Sequence, residues 1–250
     1  MKFLISALAT LISSSVLAQT PDRPMAPAPI SVEGPGNGAA PADAIVLFDG
    51  SNLDAWERTA DDMPARWVLE DAAMTVAPGV GTIKTKQRFG DIQLHVEWRP
   101  SATIEGEGQS RGNSGIFLHS LFELEILDSW NNPTYINGQA GSVYLQYPPL
   151  VNASKPPGQW QSYDIVFTAP VYSGNQLASP AKLTVFQNGI LVQNDVELKG
   201  ATFTSTPEYS AQCEPYSQDG RQQDCTGDMP ITLQDHGQVV SYRNIWVREL

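Results

Sequence analysis

Glu123, Glu125 and Asp128 fall within the run FELEILD (122–128). On a strand, alternation sends Glu123 and Glu125 to one face and Phe122, Leu124 and Ile126 to the other. Two residues apart on a strand, the Cα atoms lie about 6.6 Å apart. Carboxyls about 5–10 Å apart can cleave a glycosidic bond, one as acid and the other as nucleophile or base. Asp128 joins that face only if a β-bulge resets the alternation. The competing reading is an edge strand with a solvated acidic face.

Other side chains could complete such chemistry. His236 is the best base or acid by type, since imidazole titrates near neutrality. Asp235-His236-Gly237 is either an oriented acid–base pair or a plain turn. Arg111, Asn113 and Ser114 precede a strand and either bind a ligand or form a turn. His119 alternates onto the Gly115/Phe117 face, whereas His95 lies on a polar face and reads as solvated. In the last strand Arg243 points with Ile245 and Val247, opposite Tyr242, Asn244 and Trp246. Trp98 and Trp246 read as core. Residues 131–159 are rich in aromatics and amides. Tyr144, with Trp160 beside this stretch, suits stacking on a sugar ring, and the amides suit bonds to hydroxyls. There is no His-x-His and no Asp-rich calcium loop. No cofactor is expected, although carboxylates near His236 could hold a divalent metal.

The elements that must position these groups are strands. Helix periodicity is nearly absent and the apolar pattern has period two. IVLF (45–48), RWVL (66–69), AMTV (73–76), GTIKT (81–85), residues 92–98, SGIFL (114–118) and FELEIL (122–127) come first. WQSYDIVFTA (160–169), KLTVFQ (182–187), ILVQNDVEL (190–198), ITLQ (231–234) and VSYRNIWVREL (240–250) follow. Asn188-Gly189 signals a type I′ hairpin. Short strands with such punctuation predict an all-β, single-domain antiparallel β-sandwich. The first and last strands should pair.

The chain opens on a secretory signal: Lys2, an apolar run from Phe3 to Leu11, and Val16-Leu17-Ala18 as cleavage site. Cleavage after Ala18 would leave a secreted or periplasmic protein, and no apolar run is long enough for a membrane span. Residues 19–43, rich in Pro, Gly and Ala, read as a disordered linker before a domain at 44–250. Cys213 and Cys225 enclose a polar loop and read as a disulfide, since a metal pair would lack a nearby His or second Cys pair. A net charge of −12 repels nucleic acid and anionic membrane and suits a neutral ligand such as an oligosaccharide.

Several segments together resemble the 3-keto-disaccharide hydrolase family. IVLFDGSNLDAW (45–56) resembles its opening "lF(d/n)GkdLsgW", and WVLEDAAMTV (67–76) its "W.veDGaltv", with Ala73 read as standing for the usual glycine. RFGDIQLHVEWR (88–99), GNSGIFLH (112–119), FELEILD (122–128) and ITLQDHG…YRNIWVREL (231–250) follow in family order. The resemblance implies a concanavalin-A-like jelly roll with a concave ligand face, and cleavage of glycosides already oxidised at C3. The C3 ketone acidifies the C2 proton, a base removes it, and the enolate expels the C1 oxygen. His236 would serve as base or acid, with Glu123 or Asp128 orienting it or acting directly. Arg111 and Arg243 would stabilise the enolate. Glu125 stands where the family generally has Gln, and like charge beside Glu123 raises one pKa. It also creates Glu-x-Glu-x-x-Asp, similar to the Glu-x-Asp-x-x-Glu strand of retaining laminarinases. A glucanase using Glu123, Glu125 and Asp128, or a non-catalytic sugar-binding module, are the alternatives.

Overall fold

Alternation builds the larger sheet. In β6 (Ile92–Pro100) every second residue is buried, and Ile92, Leu94, Val96 and Trp98 enter the core. The structure, a computed structural model, describes residues 39–202, 206–216 and 220–250. The signal segment and most of the linker lie outside the described residues. Asp43, at the linker's end, is held by Arg248 at 2.7 Å.

Around β6 the large sheet runs β13 (Ile190–Glu197), β12 (Lys182–Gln187), β9 (Gln161–Thr168), β6, β17 (Val240–Glu249), β4 (Ala73–Thr75) and β3 (Val68–Glu70). β1 (Ile45–Phe48) pairs with β17, Ile45 opposite Val247, as the terminal strands were expected to do. The second sheet runs β2 (Trp56–Arg58), β5 (Ile83–Thr85), β16 (Thr232–Leu233), β7 (Ser114–Leu118) and β8 (Phe122–Ile126). All pairs are antiparallel, and one hydrophobic core joins the two sheets into a β-sandwich. Among the described residues no helix is long and apolar enough to cross a membrane.

Turn chemistry follows the sequence closely. Asn188 and Gly189 both take positive φ between β12 and β13. Asp71 and Ala72 do the same between β3 and β4, with φ of 51° and 55°. The residue in the usual glycine place is therefore Ala72, a correction to the reading of Ala73, which lies in β4. Small hairpins the period-two reading passed over are β10 (Val171–Ser173) with β11 (Gln176–Ser179), and β14 (Gln212–Cys213) with β15 (Gln223–Asp224). Cys213 and Cys225 form the expected disulfide across the latter, with Cα atoms 6.0 Å apart and a sequence separation of 12. A loop of that length contributes about 2–3 kcal/mol through restriction of the unfolded chain.

One correction concerns β17. Arg243 pairs with Glu97 and Trp246 with His95, so Asn244 and Ile245 together oppose Val96. Asn244 takes φ 46° at this bulge. The extra residue resets the alternation. Tyr242, Ile245 and Val247 point inward, while Arg243 and Trp246 point out. Trp246 is thus buried not in the core but against His95, with ring centroids 5.1 Å apart. His95 in turn is half-buried, its Nδ1 2.7 Å from Asp164, rather than simply solvated.

Candidate active site

The β7–β8 hairpin sorts its residues cleanly. Ile116 and Leu118 face Phe122 and Leu124 in the core, while Gly115, Phe117, Glu123 and Glu125 share the outward face of the smaller sheet. β16 adds Thr232 opposite Phe117, and Gln234 just beyond donates its backbone N–H to Gly115 at 3.0 Å. The expected pairing of Glu123 and Glu125 on one face is present, but neither is solvated: they are 3% and 1% exposed. β8 is an edge strand whose edge is covered. Glu125 N–H donates to the Ser142 carbonyl, Gly141 N–H to Glu125 and Tyr144 N–H to Glu123. The 131–159 loop so acts as an extra strand along the acidic residues.

Burial sets the electrostatics. It pushes the Glu123 carboxyl up to about 8. It also raises Glu125 well above the usual carboxylate range, and the Glu123 charge raises it further. Among the described residues no Lys, Arg or His forms an ion pair with either group. The Asn113 amide donates to Glu125 Oε1 at 3.3 Å, whereas Glu123 Oε2 is buried without a hydrogen bond. Two like carboxyls raised in this way hold at least one proton at neutral pH.

Small residues and hydroxyls shape the space around the pair. A Cβ on Gly115 would meet Glu123 Oε1 at 2.5 Å, so glycine leaves the room this carboxyl occupies. Ser114 binds the core-facing Tyr242 hydroxyl at 2.7 Å and the Gln234 carbonyl at 2.6 Å. Within the Asn113-Ser114-Gly115 motif, Asn113 and Gly115 therefore meet the carboxyl pair, while Ser114 anchors the strand between them. Tyr135 and Tyr144 join hydroxyls at 2.6 Å. The Tyr135 hydroxyl is raised by burial, by Tyr144, and then by the Glu125 and Glu123 charges, which places it close to the pair. Tyr216 stacks on Phe117 with centroids 4.4 Å apart. Its hydroxyl accepts from the Gln234 amide at 3.2 Å, while Gln234 Oε1 is buried without a partner.

Other residues expected at the site make contacts of their own. Ile126 and Leu127 both enter the core, so the alternation breaks before Asp128. Asp128 instead accepts from Arg111 Nε at 2.7 Å and from the Trp130 N–H at 3.1 Å. With Arg111, Glu105, Gly112 and Gln238 it lines a cavity of about 400 Å³. Arg111 also donates to the Trp130 carbonyl, so both of its bonded nitrogens serve the fold. The Glu123/Glu125/Asp128 row needed for a laminarinase-type strand is not formed.

His119 sits in the β7–β8 turn, not on the Gly115 face. It and Ser120 take φ 53°, and its ring packs edge-on to Phe167 at 5.0 Å. Burial pushes it down to about 4, against smaller upward pulls from the Phe89 carbonyl, Asp228, Asp91 and the Gly90 carbonyl, and neither ring nitrogen makes a well-formed hydrogen bond. Trp160 and Arg243 lie on the opposite side of the sandwich. Arg243 bonds Glu97 at 2.6 Å and stands 4.2 Å over the Trp160 ring, with Arg99 at 4.6 Å. His236 is exposed on its turn. Asp235 does not orient it: its carboxylate accepts from the backbone of Gly79, Gly81 and Gly237. Among the described residues no group of three or more His, Cys, Asp or Glu side chains is arranged to hold a metal ion.

The residues around the pair that the sequence reading passed over are Gln234, Gly115 and Tyr216. Gln234 and Gly115 stood inside quoted motifs, LQDHG and NSG, and their alternation with Leu233 and Ile116 would have placed them beside the acidic pair. Tyr216 lies between the two cysteines in a stretch without periodicity.

The family model described as the 3-keto-alpha-glucoside-1,2-lyase-like domain matches residues 43–248. A provisionally assigned glycosyl hydrolase from Parabacteroides distasonis ATCC 8503, solved at 2.13 Å, is 42% identical over 92% of this chain and 95% of its own, with a TM-score of 0.80. Two further structures given that provisional assignment, from the same organism, are 16% and 21% identical, each over 83% of this chain. They cover 94% and 99% of their own chains, with TM-scores of 0.55 and 0.53, and share the fold. No curated protein matches the chain.

Proposed function

From the premise that this chain belongs to the 3-keto-alpha-glucoside-1,2-lyase-like family, a carbohydrate-active group, we propose that it cleaves 3-keto-glycosides by elimination across C1 and C2. The observation that carries this reading is the buried, cation-free pair Glu123 and Glu125 on one strand face. Glu123 is the base, because its Oε2 has a free lone pair and no partner. It removes the C2 proton; those electrons form the C2=C3 enolate, and the charge passes to O3. When the C3 carbonyl re-forms, C1=C2 forms and the C1–O bond breaks. Glu125, kept protonated by burial and by Glu123, gives its proton to the departing oxygen. The enone is released, and water adds to it afterwards in solution, so the overall result is hydrolysis. A carboxyl pushed to about 8 is a better base than an ordinary one and is still ionised in part near neutrality.

Arg243 and Trp160 are left out of this reading, since they face away from the pair, and so is the oxocarbenium route through Asp128. Asn113 orients Glu125, and Tyr144 with Tyr135 borders the sugar. The disulfide fits an oxidising compartment outside the cytoplasm, and an exported protein acting on a neutral saccharide fits the charge of −12. The test offers trehalose and sucrose, native and 3-oxidised, and follows the ultraviolet absorbance of the enone. The 3-oxidised sugars should release it and the native ones should not. Glu123→Gln should lower turnover about 10²–10⁴-fold. Cleavage of native sugars at the same rate would overturn the proposal.

A further inference from the structure

An enolate needs a donor aimed at its oxygen, and the cations expected to supply one are committed elsewhere. Arg111 binds Asp128 and the Trp130 carbonyl, and Arg243 lies on the other sheet bound to Glu97. On the acidic face itself one neutral group has spare capacity. Gln234 is 3% exposed, and its Oε1 is buried without a partner. Its Nε2 spends one hydrogen on the Tyr216 hydroxyl at 3.2 Å, leaving the second. Its backbone is bonded to Gly115, the residue over which the Glu123 carboxyl lies.

We propose that Gln234 is the group that recognises the α-hydroxyketone of the substrate and stabilises its enolate. A primary amide offers a donor and an acceptor side by side. A 3-keto sugar offers the complement: a carbonyl acceptor at C3 and a hydroxyl donor at C2. The Nε2 hydrogen goes to the C3 oxygen and Oε1 accepts from the C2 hydroxyl, which seats the C2 proton toward the unpartnered Glu123 Oε2. As that proton leaves, charge gathers on the C3 oxygen and its bond from Nε2 becomes charge-assisted beside groups buried from solvent. The Tyr216 hydroxyl holds the amide plane fixed, so the donor needs no reorientation during the reaction.

This inference rests on the elimination reading, and one experiment separates the two. Wild type, Gln234→Met and Gln234→Asn are compared on 3-oxidised trehalose by enone release, with thermal unfolding measured on each. Met keeps the length and shape of the side chain but has no N–H. Its kcat should fall about 10²-fold or more, the worth of one oxyanion donor, while KM changes less than kcat and the unfolding temperature holds. Asn keeps the amide but shortens its reach, and should fall between Met and wild type. If the Met variant unfolds, the Asn variant carries the same comparison: an unchanged kcat there would overturn the role. A kcat left intact by Gln234→Met in an active protein overturns the inference alone. A wild type that releases no enone overturns the elimination reading and this inference with it.

Discussion

The outer faces of the two sheets both carry carboxylates and treat them in opposite ways. On the outer face of the large sheet, burial pushes Glu97 upward, but hydrogen bonds from Asn244 and Arg243, with the Arg243 and His95 charges, outweigh it and hold the group below its usual value. Arg243 also stacks on Trp160, and His95 binds Asp164. On the outer face of the smaller sheet, Glu123 and Glu125 meet the Asn113 amide and Gly115, and among the described residues no cation. Both are driven upward. A paired carboxylate is an ion already satisfied, with little left for chemistry. An unpaired buried one is costly to the fold and available for proton transfer, the combination that marks working sites.

Changes that break this contrast should differ greatly in effect. Among changes that leave both carboxyls and Gln234 in place, the largest is expected from Gly115→Ala. Its new Cβ would stand 2.5 Å from Glu123 Oε1 and 3.0 Å from the Phe117 ring. The carboxyl must move, so turnover should fall about 10²-fold, and overpacking should cost about 1–3 kcal/mol in denaturant unfolding. An equally active, equally stable variant would mean that the Glu123 position has no bearing on function.

A second prediction concerns pH. Glu123 is raised in the folded state, so the stability associated with its neutral form is complete below the unfolded carboxyl value and is lost as pH climbs toward about 8. Glu125 contributes in the same direction. His119 has the opposite sign. Its lowered value means that stability is complete above about 6.5 and lost as pH falls toward about 4. Between pH 6.5 and 8 the carboxyls act alone. The unfolding free energy should therefore decline there by up to about 1.4 kcal/mol per pH unit for each carboxyl still protonated. Glu125→Gln should flatten that decline by about half and leave the acid-side loss intact.

The smallest effect belongs to the satisfied face. Arg243 is half-exposed, so Arg243→Met should cost about 1 kcal/mol or less and leave turnover within threefold of wild type. A loss of activity comparable to that of Glu123→Gln would mean that the large sheet, not the small one, carries the chemistry.

Much of this contrast was legible in the sequence. The period-two runs of β6, β7, β8 and β12 and the Asn188-Gly189 turn followed from local pattern, and the pairing of the terminal strands from the need of a closed sandwich to hide them. The shared face of Glu123 and Glu125 also followed from local pattern. What did not follow depended on single residues that break the period. Asn244 at positive φ moved Arg243 and Trp246 to the outer face, and Leu127 entering the core removed Asp128 from the acidic row. His236 looked catalytic by residue type, yet Asp235 beside it spends its carboxylate on backbone amides of the 79–81 turn. Burial of the acidic pair was invisible because a distant loop, 140–147, supplies the cover along β8.

The protonation of that pair is the central claim, and isotope-edited NMR of carboxyl carbons reads it directly. Protein labelled at Glu Cδ, with Glu123→Gln and Glu125→Gln for assignment, would be titrated from pH 4 to 9. The account predicts at least one carboxyl of the pair still protonated at pH 7, with Glu123 titrating at about 8, while Glu97 titrates below the ordinary range. Two carboxylates fully ionised by pH 6 would contradict it.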